Sequence, residues 1–410
     1  MKCRFCNNEL SQEFVNLGNS PPSNSFLDIQ QLNEPEIFFP LKLFVCRKCW
    51  LVQIDEFKKS NEIFNKDYIY YSSYSVSWLK HCRAYVEMII GKLGLDEFSN
   101  VIEVASNDGY LLQYFQQKKI PCMGIEPAEN TANAAREKGI EVISEFFGEK
   151  LATRLADQNR KADLIIGNNV IAHVPNINDF VGGLRILLKS TGVVTMEFPH
   201  LMRLVEQNQF DTIYHEHFSY LSFHTVRSIF AAHRLELFDV EEIPTHGGSL
   251  RIYARHYDDS SKPVSKRVDK LLTKEIHAGM LKPEYYEPFQ NKIDLIKNNL
   301  ISFLIDQKKQ KKEVAGYGAA AKGNTLLNYC GIKKDLLPFV ADASVYKQGK
   351  YLPGNHIPVC SEEQIRKFQP DFVLILPWNL KSEISKQLEY IRKWNGKFVV
   401  AIPDLQIHNS

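Results

Sequence analysis

The chain has 410 residues, enough for two or three domains with separate cores. A net charge of +2 with 24% charged residues offers no basic stripe for nucleic acid, and no apolar run nears the ~20 residues of a membrane span. The start, Met1-Lys2-Cys3-Arg4, has no apolar signal core, so a cytoplasmic protein is expected, monomeric or weakly self-associated.

Cys3-Arg4-Phe5-Cys6 and Cys46-Arg47-Lys48-Cys49 are two CxxC pairs separated by 39 residues. Thiolates three positions apart clasp one side of a tetrahedral zinc, and a second pair closes the sphere. Four sulfur ligands leave no open position, so a structural Zn2+ is expected, holding a small domain whose own core is thin. Redox dithiols are the alternative, but no βαβ pattern surrounds either pair. Residues 18–25 are turn chemistry. Residues 67–75 hold four tyrosines and three serines, either a surface hairpin or a hydroxyl-lined wall for a polar ligand. Tyr70, Ser72 and Ser73 are its candidate substrate contacts. Residues 78–93 carry apolar positions at helical spacing.

From about residue 99 strands alternate with helices. Residues 101–105 read as an apolar strand, 106–109 as a turn and 110–118 as a helix. A second strand at 123–127 ends in Glu126, 17 residues after Gly109. A third ends near Phe146, a fourth at Asn168 and Asn169, and a fifth covers 192–198. This pattern means a parallel, doubly wound α/β sheet whose ligands sit at the carboxyl ends of the strands. The first turn is not GxGxxG: it has one glycine, Gly109, and acids at Glu103 and Asp108. Those acids repel a diphosphate, which needs bare backbone NH groups. A cofactor with a positive centre and no phosphate suits them better, and S-adenosylmethionine fits. Glu103 and Asp108 would lie near its cationic end and Glu126 on its ribose hydroxyls, with Ser106, Gly109, Phe146, Asn168 and Asn169 around it. The alternative is an acid-capped turn in some other α/β fold.

Beyond the fourth strand, His173 would face the crevice. Past the fifth strand, Tyr214-His215-Glu216-His217-Phe218-Ser219-Tyr220 packs two imidazoles, a carboxylate and two phenols into seven residues. Such groups move protons near neutral pH. Neither a strand nor a helix period gathers Tyr214, His215, Glu216 and His217 on one face, so a loop or strand end is expected. A solvated polar loop is the plainer reading, and the position beside the presumed cofactor weighs against it. In His246-Gly247-Gly248-Ser249-Leu250-Arg251 the glycines let backbone approach a ligand and Arg251 offers a forked donor. His246 and Arg251 are therefore substrate candidates. Residues 262–312 are helical in pattern and end in a lysine run that complements a helix dipole.

A second α/β series begins at residue 314, with strands expected at 337–341, 372–376 and 398–402. Its GxGxxA turn, with Asp342 one strand later, resembles a dinucleotide fingerprint. A diphosphate is expected there on Gly318, Ala320, Lys322 and Asn324. The implied domains are 1–75, 76–260, a helical bridge at 261–312, and 313–410.

In this order, the paired CxxC motifs, the turn Glu103-Val104-Ala105-Ser106-Asn107-Asp108-Gly109, the Tyr214-His215-Glu216-His217 stretch and Gly318-Ala319-Ala320-Ala321-Lys322-Gly323-Asn324-Thr325 resemble the nucleotide-sugar C-methyltransferases, the deoxysugar C-3 methyltransferases. The likeness covers nearly the whole chain. It implies a zinc-bound N-terminal domain, a central class I (Rossmann-like) methyl-donor domain and a C-terminal Rossmann-like domain that helps hold the nucleotide sugar. It also implies His217 as base, Tyr214 and Glu216 as its neighbours, and His173 and Tyr68 as further members of the pocket. Carbon methylation needs a carbanion equivalent, so the expected substrate is a nucleotide-linked 4-keto-6-deoxy sugar methylated at C3. Rival readings are an NAD(P)-dependent nucleotide-sugar oxidoreductase, an O-methyltransferase of the same architecture, and a non-catalytic scaffold.

Overall fold

The computed structural model describes residues 1–59, 62 and 71–409. Tyr68 and Tyr70 lie outside the described residues. Two compact units emerge, one of Met1–Leu10, Cys46–His200 and Phe218–Leu281, the other of Ser11–Val45, Leu201–His217 and Lys282–Ser410.

The first unit is built on a seven-stranded sheet: β1 Val101–Val104, β2 Cys122–Ile125, β3 Glu141–Ile143, β4 Ala162–Asn168, β5 Leu188–Pro199, β6 Leu235–Ile243 and β7 Ser249–His256. Their spatial order is 3-2-1-4-5-7-6. Strands β1 to β5 run parallel, whereas β7 is antiparallel to both β5 and β6. The central strands are mostly apolar because helices cover both faces, and all four residues of β1 are buried, with Glu103 the one acid among them. Helix Val76–Leu93 starts at Ser75, whose hydroxyl accepts the Trp78 NH, and stops at Gly94 with φ 66°. Its Cys82, Tyr85, Val86 and Ile89 recur at helical spacing and enter one core with Tyr110, Phe115, Phe238 and Tyr253. The β6–β7 hairpin was not foreseen as strands; its loop carries His246, Gly247 and Gly248, all at positive φ.

In the second unit Gln12–Ser20 pairs antiparallel with Phe39–Val45. A six-stranded sheet follows: β8 Val314–Tyr317, β9 Val340–Ala341, β10 Val359–Cys360, β11 Phe372–Ile375, β12 Lys397–Val400 and β13 Gln406–Asn409. Its order is 10-9-8-11-12-13, parallel except for β13. The expected strand at 337–341 is only Val340–Ala341 long, since Pro338 has no NH to give a ladder. The helical stretch at 262–312 divides into Lys266–His277 in the first unit and Phe289–Lys309 in the second.

Candidate active site

The turn after β1 in the first unit is tightly wound, with Ala105 at φ 60°, Asn107 at 48° and Gly109 at 74°. L side chains seldom adopt this region, and a Cβ at Gly109 would stand 2.4 Å from Ile140 Cδ1. Glu126, at the end of β2, ties the turn down. Its Oε2 accepts the Asn107 NH and its Oε1 the Ala128 NH, both at 2.9 Å. Burial pushes its carboxyl up to about 7 against those two bonds. Asp108 accepts the Ser73 hydroxyl, and the Ser72 NH reaches Asn107 Oδ1 at 2.9 Å. Ser72 and Ser73, expected on the substrate side, are therefore found bracing this turn.

Among the described residues, the Glu103 carboxylate, Ser106 Oγ, Asp108 Oδ1 and both amide atoms of Asn168 are buried without a protein hydrogen-bond partner. Tyr110 approaches the Glu103 carboxylate without completing a bond. Burial holds that carboxyl well above its usual range. A buried polar atom left unpaired costs about 1–3 kcal/mol, so this cluster is prepared for a polar ligand. Asn169, at φ 55°, lies next to Asn168 at the end of β4 and places its Nδ2 3.0 Å from His246 Nε2. Trp78 lies against both His246 and His81, with centroids 5.3 and 5.0 Å away. His173 ends the short helix Ile171–His173 and is half-buried, whereas Phe146 is exposed.

Arg251 faces Glu197 across the β7–β5 pair. Its Nε donates to Glu197 Oε1 at 2.7 Å and its Nη1 to Glu241 Oε2 at 3.0 Å. His81 Nε2 lies 2.8 Å from Glu197 Oε2. Burial penalises the Glu197 charge, yet His81 and Arg251 hold its carboxyl below the usual range. The fork expected to reach for substrate is thus committed within the sheet. His81 and Trp78 went unnoticed in the sequence because each reads as one more residue of an amphipathic helix.

The dense stretch lies, as expected, in a loop running to a strand end: the short helix Phe210–Thr212, a turn, and the strand Ser219–Tyr220. In the second unit, the His217 NH donates to the Tyr214 carbonyl at 3.0 Å, and the two rings lie 3.9 Å apart. His217 Nδ1 is 2.8 Å from the Thr212 carbonyl. A carbonyl only accepts, so Nδ1 carries the proton and Nε2 the lone pair of the neutral ring. Glu216 is buried and receives Asn24 Nδ2 on both oxygens, at 2.8 and 3.0 Å. Expected as a neighbour of the base, it anchors the chain's N-terminal loop. His215 Nε2 is 3.3 Å from the Pro40 carbonyl.

At the C-terminal glycine turn, the NH groups of Gly318, Ala319 and Ala320 go to Ala341 O, Asp342 Oδ2 and Gly318 O. These are not the bare donors that the fingerprint implied for a diphosphate. Lys322 Nζ donates to Asn379 Oδ1 at 2.8 Å and lies over the Trp378 ring. Asn324 is buried, its Oδ1 3.4 Å from Asn355 Nδ2.

Three family descriptions match successive parts of the chain. They are "Putative zinc binding domain" at residues 3–64, "Methyltransferase domain" at 78–239 and "C-methyltransferase C-terminal domain" at 244–403. The C-methyltransferase NovU of Streptomyces niveus is 32% identical over 406 residues, covering 99% of this chain and 96% of NovU. The chain belongs to the C-methyltransferase family. Among solved structures, the PH0226 protein of Pyrococcus horikoshii shares 15% identity, covering 49% of this chain and 99% of its own, at a TM-score of 0.38. A SAM-dependent methyltransferase of Anabaena variabilis shares 13%, covering 50% and 99%, at 0.38.

This C-methyltransferase uses S-adenosylmethionine and carries zinc. The unpaired buried atoms around Glu103, Ser106, Asp108 and Asn168 suit the polar methionyl end of that donor. For zinc, the sulfurs of Cys3, Cys6, Cys46 and Cys49 lie within 4.8 Å of one another, with Cys3–Cys49 and Cys6–Cys46 both at 3.5 Å. Tetrahedral bonds of about 2.3 Å put sulfurs about 3.8 Å apart, so the C-methyltransferase's cluster has the right size. Gln53 Nε2 donates to Cys3 Sγ at 3.2 Å, the kind of outer contact that orients a ligand.

Proposed function

We propose that the enzyme methylates C3, next to the ketone, of a nucleotide-linked 4-keto-6-deoxy sugar, with His217 removing the C3 proton. The observation that carries this reading is the His217–Thr212 bond, which puts the ring's lone pair on Nε2 and so makes the neutral imidazole a base. Tyr214, whose ring lies tilted against that of His217, and His173 are the candidate donors to the enolate oxygen. Tyr68 is a further candidate for the pocket. Bound S-adenosylmethionine would supply an electrophilic methyl carbon whose bond to the sulfonium breaks as the neutral thioether leaves. Glu126 would accept the ribose hydroxyls, its orientation already fixed by two backbone NH groups. The sugar and nucleotide assignments rest on the likeness of the motif set to the deoxysugar enzymes.

The test incubates the protein with S-adenosylmethionine and a panel of nucleotide 4-keto-6-deoxy sugars in D2O. A gain of one methyl on carbon, with deuterium entering C3 before transfer, is the expected result. An ether product would make it an O-methyltransferase, and reduction with NAD(P)H would make it an oxidoreductase. His217→Asn should bind both ligands and lose C3 exchange by about 100-fold or more. Retained exchange places the base elsewhere.

A further inference from the structure

The turn that carries the His217 contact is fastened by polar groups for which the methyl-transfer chemistry has no use. Thr212, whose carbonyl accepts the His217 Nδ1–H hydrogen bond, closes the helix Phe210–Thr212. One residue earlier, Asp211 is fully buried and its Oδ2 accepts the Trp378 indole NH at 2.8 Å. One residue later, the Ile213 carbonyl accepts the Thr325 hydroxyl at 2.9 Å, and Ser23 Oγ lies 3.2 Å from that hydroxyl. Thr325 stands in the helix Ala321–Cys330 that follows β8, and Trp378 lies just past β11. β8 and β11 are neighbours at the reversal of strand order, where a doubly wound sheet receives its ligand. Residues 210–213 meet groups from both sides of that switch point. The buried Asp211 and the half-buried Lys322 attract each other there, although desolvation disfavours the charge on both.

We propose that Asp211, Trp378 and Thr325 are positioning residues for the base: they seat the turn at 210–213 on the C-terminal sheet as an internal ligand, and so fix the carbonyl that sets the His217 tautomer. The catalytic meaning rests on His217 being the base; the tautomer does not. This also gives the glycine turn a reason to resemble a nucleotide fingerprint while its own NH groups are satisfied internally. The acid that Trp378 and Lys322 face comes from the chain itself.

Thr325→Val keeps the side-chain shape and removes the donor, while Thr325→Ser keeps the donor. Asp211→Ala removes the acceptor for Trp378, and Asp211→Asn retains one. The full-length protein, labelled with 15N-histidine, would be studied by long-range 1H–15N correlation at pH 8.5, with the His217 signals assigned by their loss in His217→Asn. The wild type should show His217 protonated at Nδ1. Thr325→Val and Asp211→Ala should shift it to a tautomer mixture and lower kcat about 10- to 100-fold, with KM for the nucleotide sugar within about twofold. Thr325→Ser and Asp211→Asn should restore both readouts. An unchanged tautomer in Thr325→Val overturns the proposal, as does a raised KM at constant kcat, which would put these groups on the substrate. If Asp211→Ala does not fold, Thr325→Val decides alone. Should the tautomer shift as expected while His217→Asn still exchanges C3, the base assignment fails and the positioning stands.

Discussion

Glu126 shows how one carboxylate can be fixed by backbone and still be tuned for a ligand. Burial raises it to about 7, so the protonated form is favoured in the folded, ligand-free protein. Its effect on stability is therefore neutral below about pH 4 and increasingly unfavourable as pH rises to 7. Ribose hydroxyls donate, and so prefer the ionised form. Cofactor affinity should then strengthen as pH climbs through about 7, by up to about tenfold per unit below it. Isothermal titration from pH 5.5 to 8.5 would show this slope, and Glu126→Gln should bind weakly with the slope removed. The acid could be read from the sequence because it ends a strand one βα unit after the first turn. The partner of Glu216 could not: Asn24 lies 192 positions away, and a single sequence carries no record of which distant amide finds which carboxylate.

Arg251 is best understood through the strands that hold it. β7 sets it opposite Glu197 of β5, and a further bond to Glu241 of β6 spans three adjacent strands. Arg251→Ala would leave Glu197 buried and without its guanidinium partner, at a cost of about 3–5 kcal/mol. Chemical denaturation should register that loss. A variant of native stability with a raised KM would instead return Arg251 to the substrate. The parallel strands β1 to β5 were legible because strands buried on both faces are written as short apolar runs. The hairpin β6–β7 was not, since it places acids and arginines within its ladder and pairs them across strands. Pairing of that kind leaves mixed polarity, which periodicity alone reads as loop. Likewise GxGxxA correctly announced a strand, turn and helix, but the pattern is silent on whether a ligand or the protein's own chain satisfies the donors.

At the level of the whole molecule, the zinc cluster belongs to the same unit as the methyl-donor sheet. Arg4, between the first two cysteines, donates to the Pro175 carbonyl at 2.9 Å, and Asn178 donates to the Phe5 carbonyl at 2.9 Å. The knuckle thereby clasps the segment that follows β4 and contains His173. Chelation, or Cys46→Ser, should lower the melting temperature and weaken S-adenosylmethionine binding together. Calorimetry with metal analysis would check both, and intact cofactor affinity in a zinc-free, folded protein would refute the link.

The chain passes from one unit to the other after Leu10, Val45, His200, His217 and Leu281. No single scission can therefore release either half whole. A truncation after residue 281 would keep Gln12–Ser20 and Phe39–Val45 yet discard the segment from Lys282 onward that completes their unit. The methyl-donor fold cannot be borrowed as a stand-alone cassette, and the two halves must be made, inherited and degraded as one.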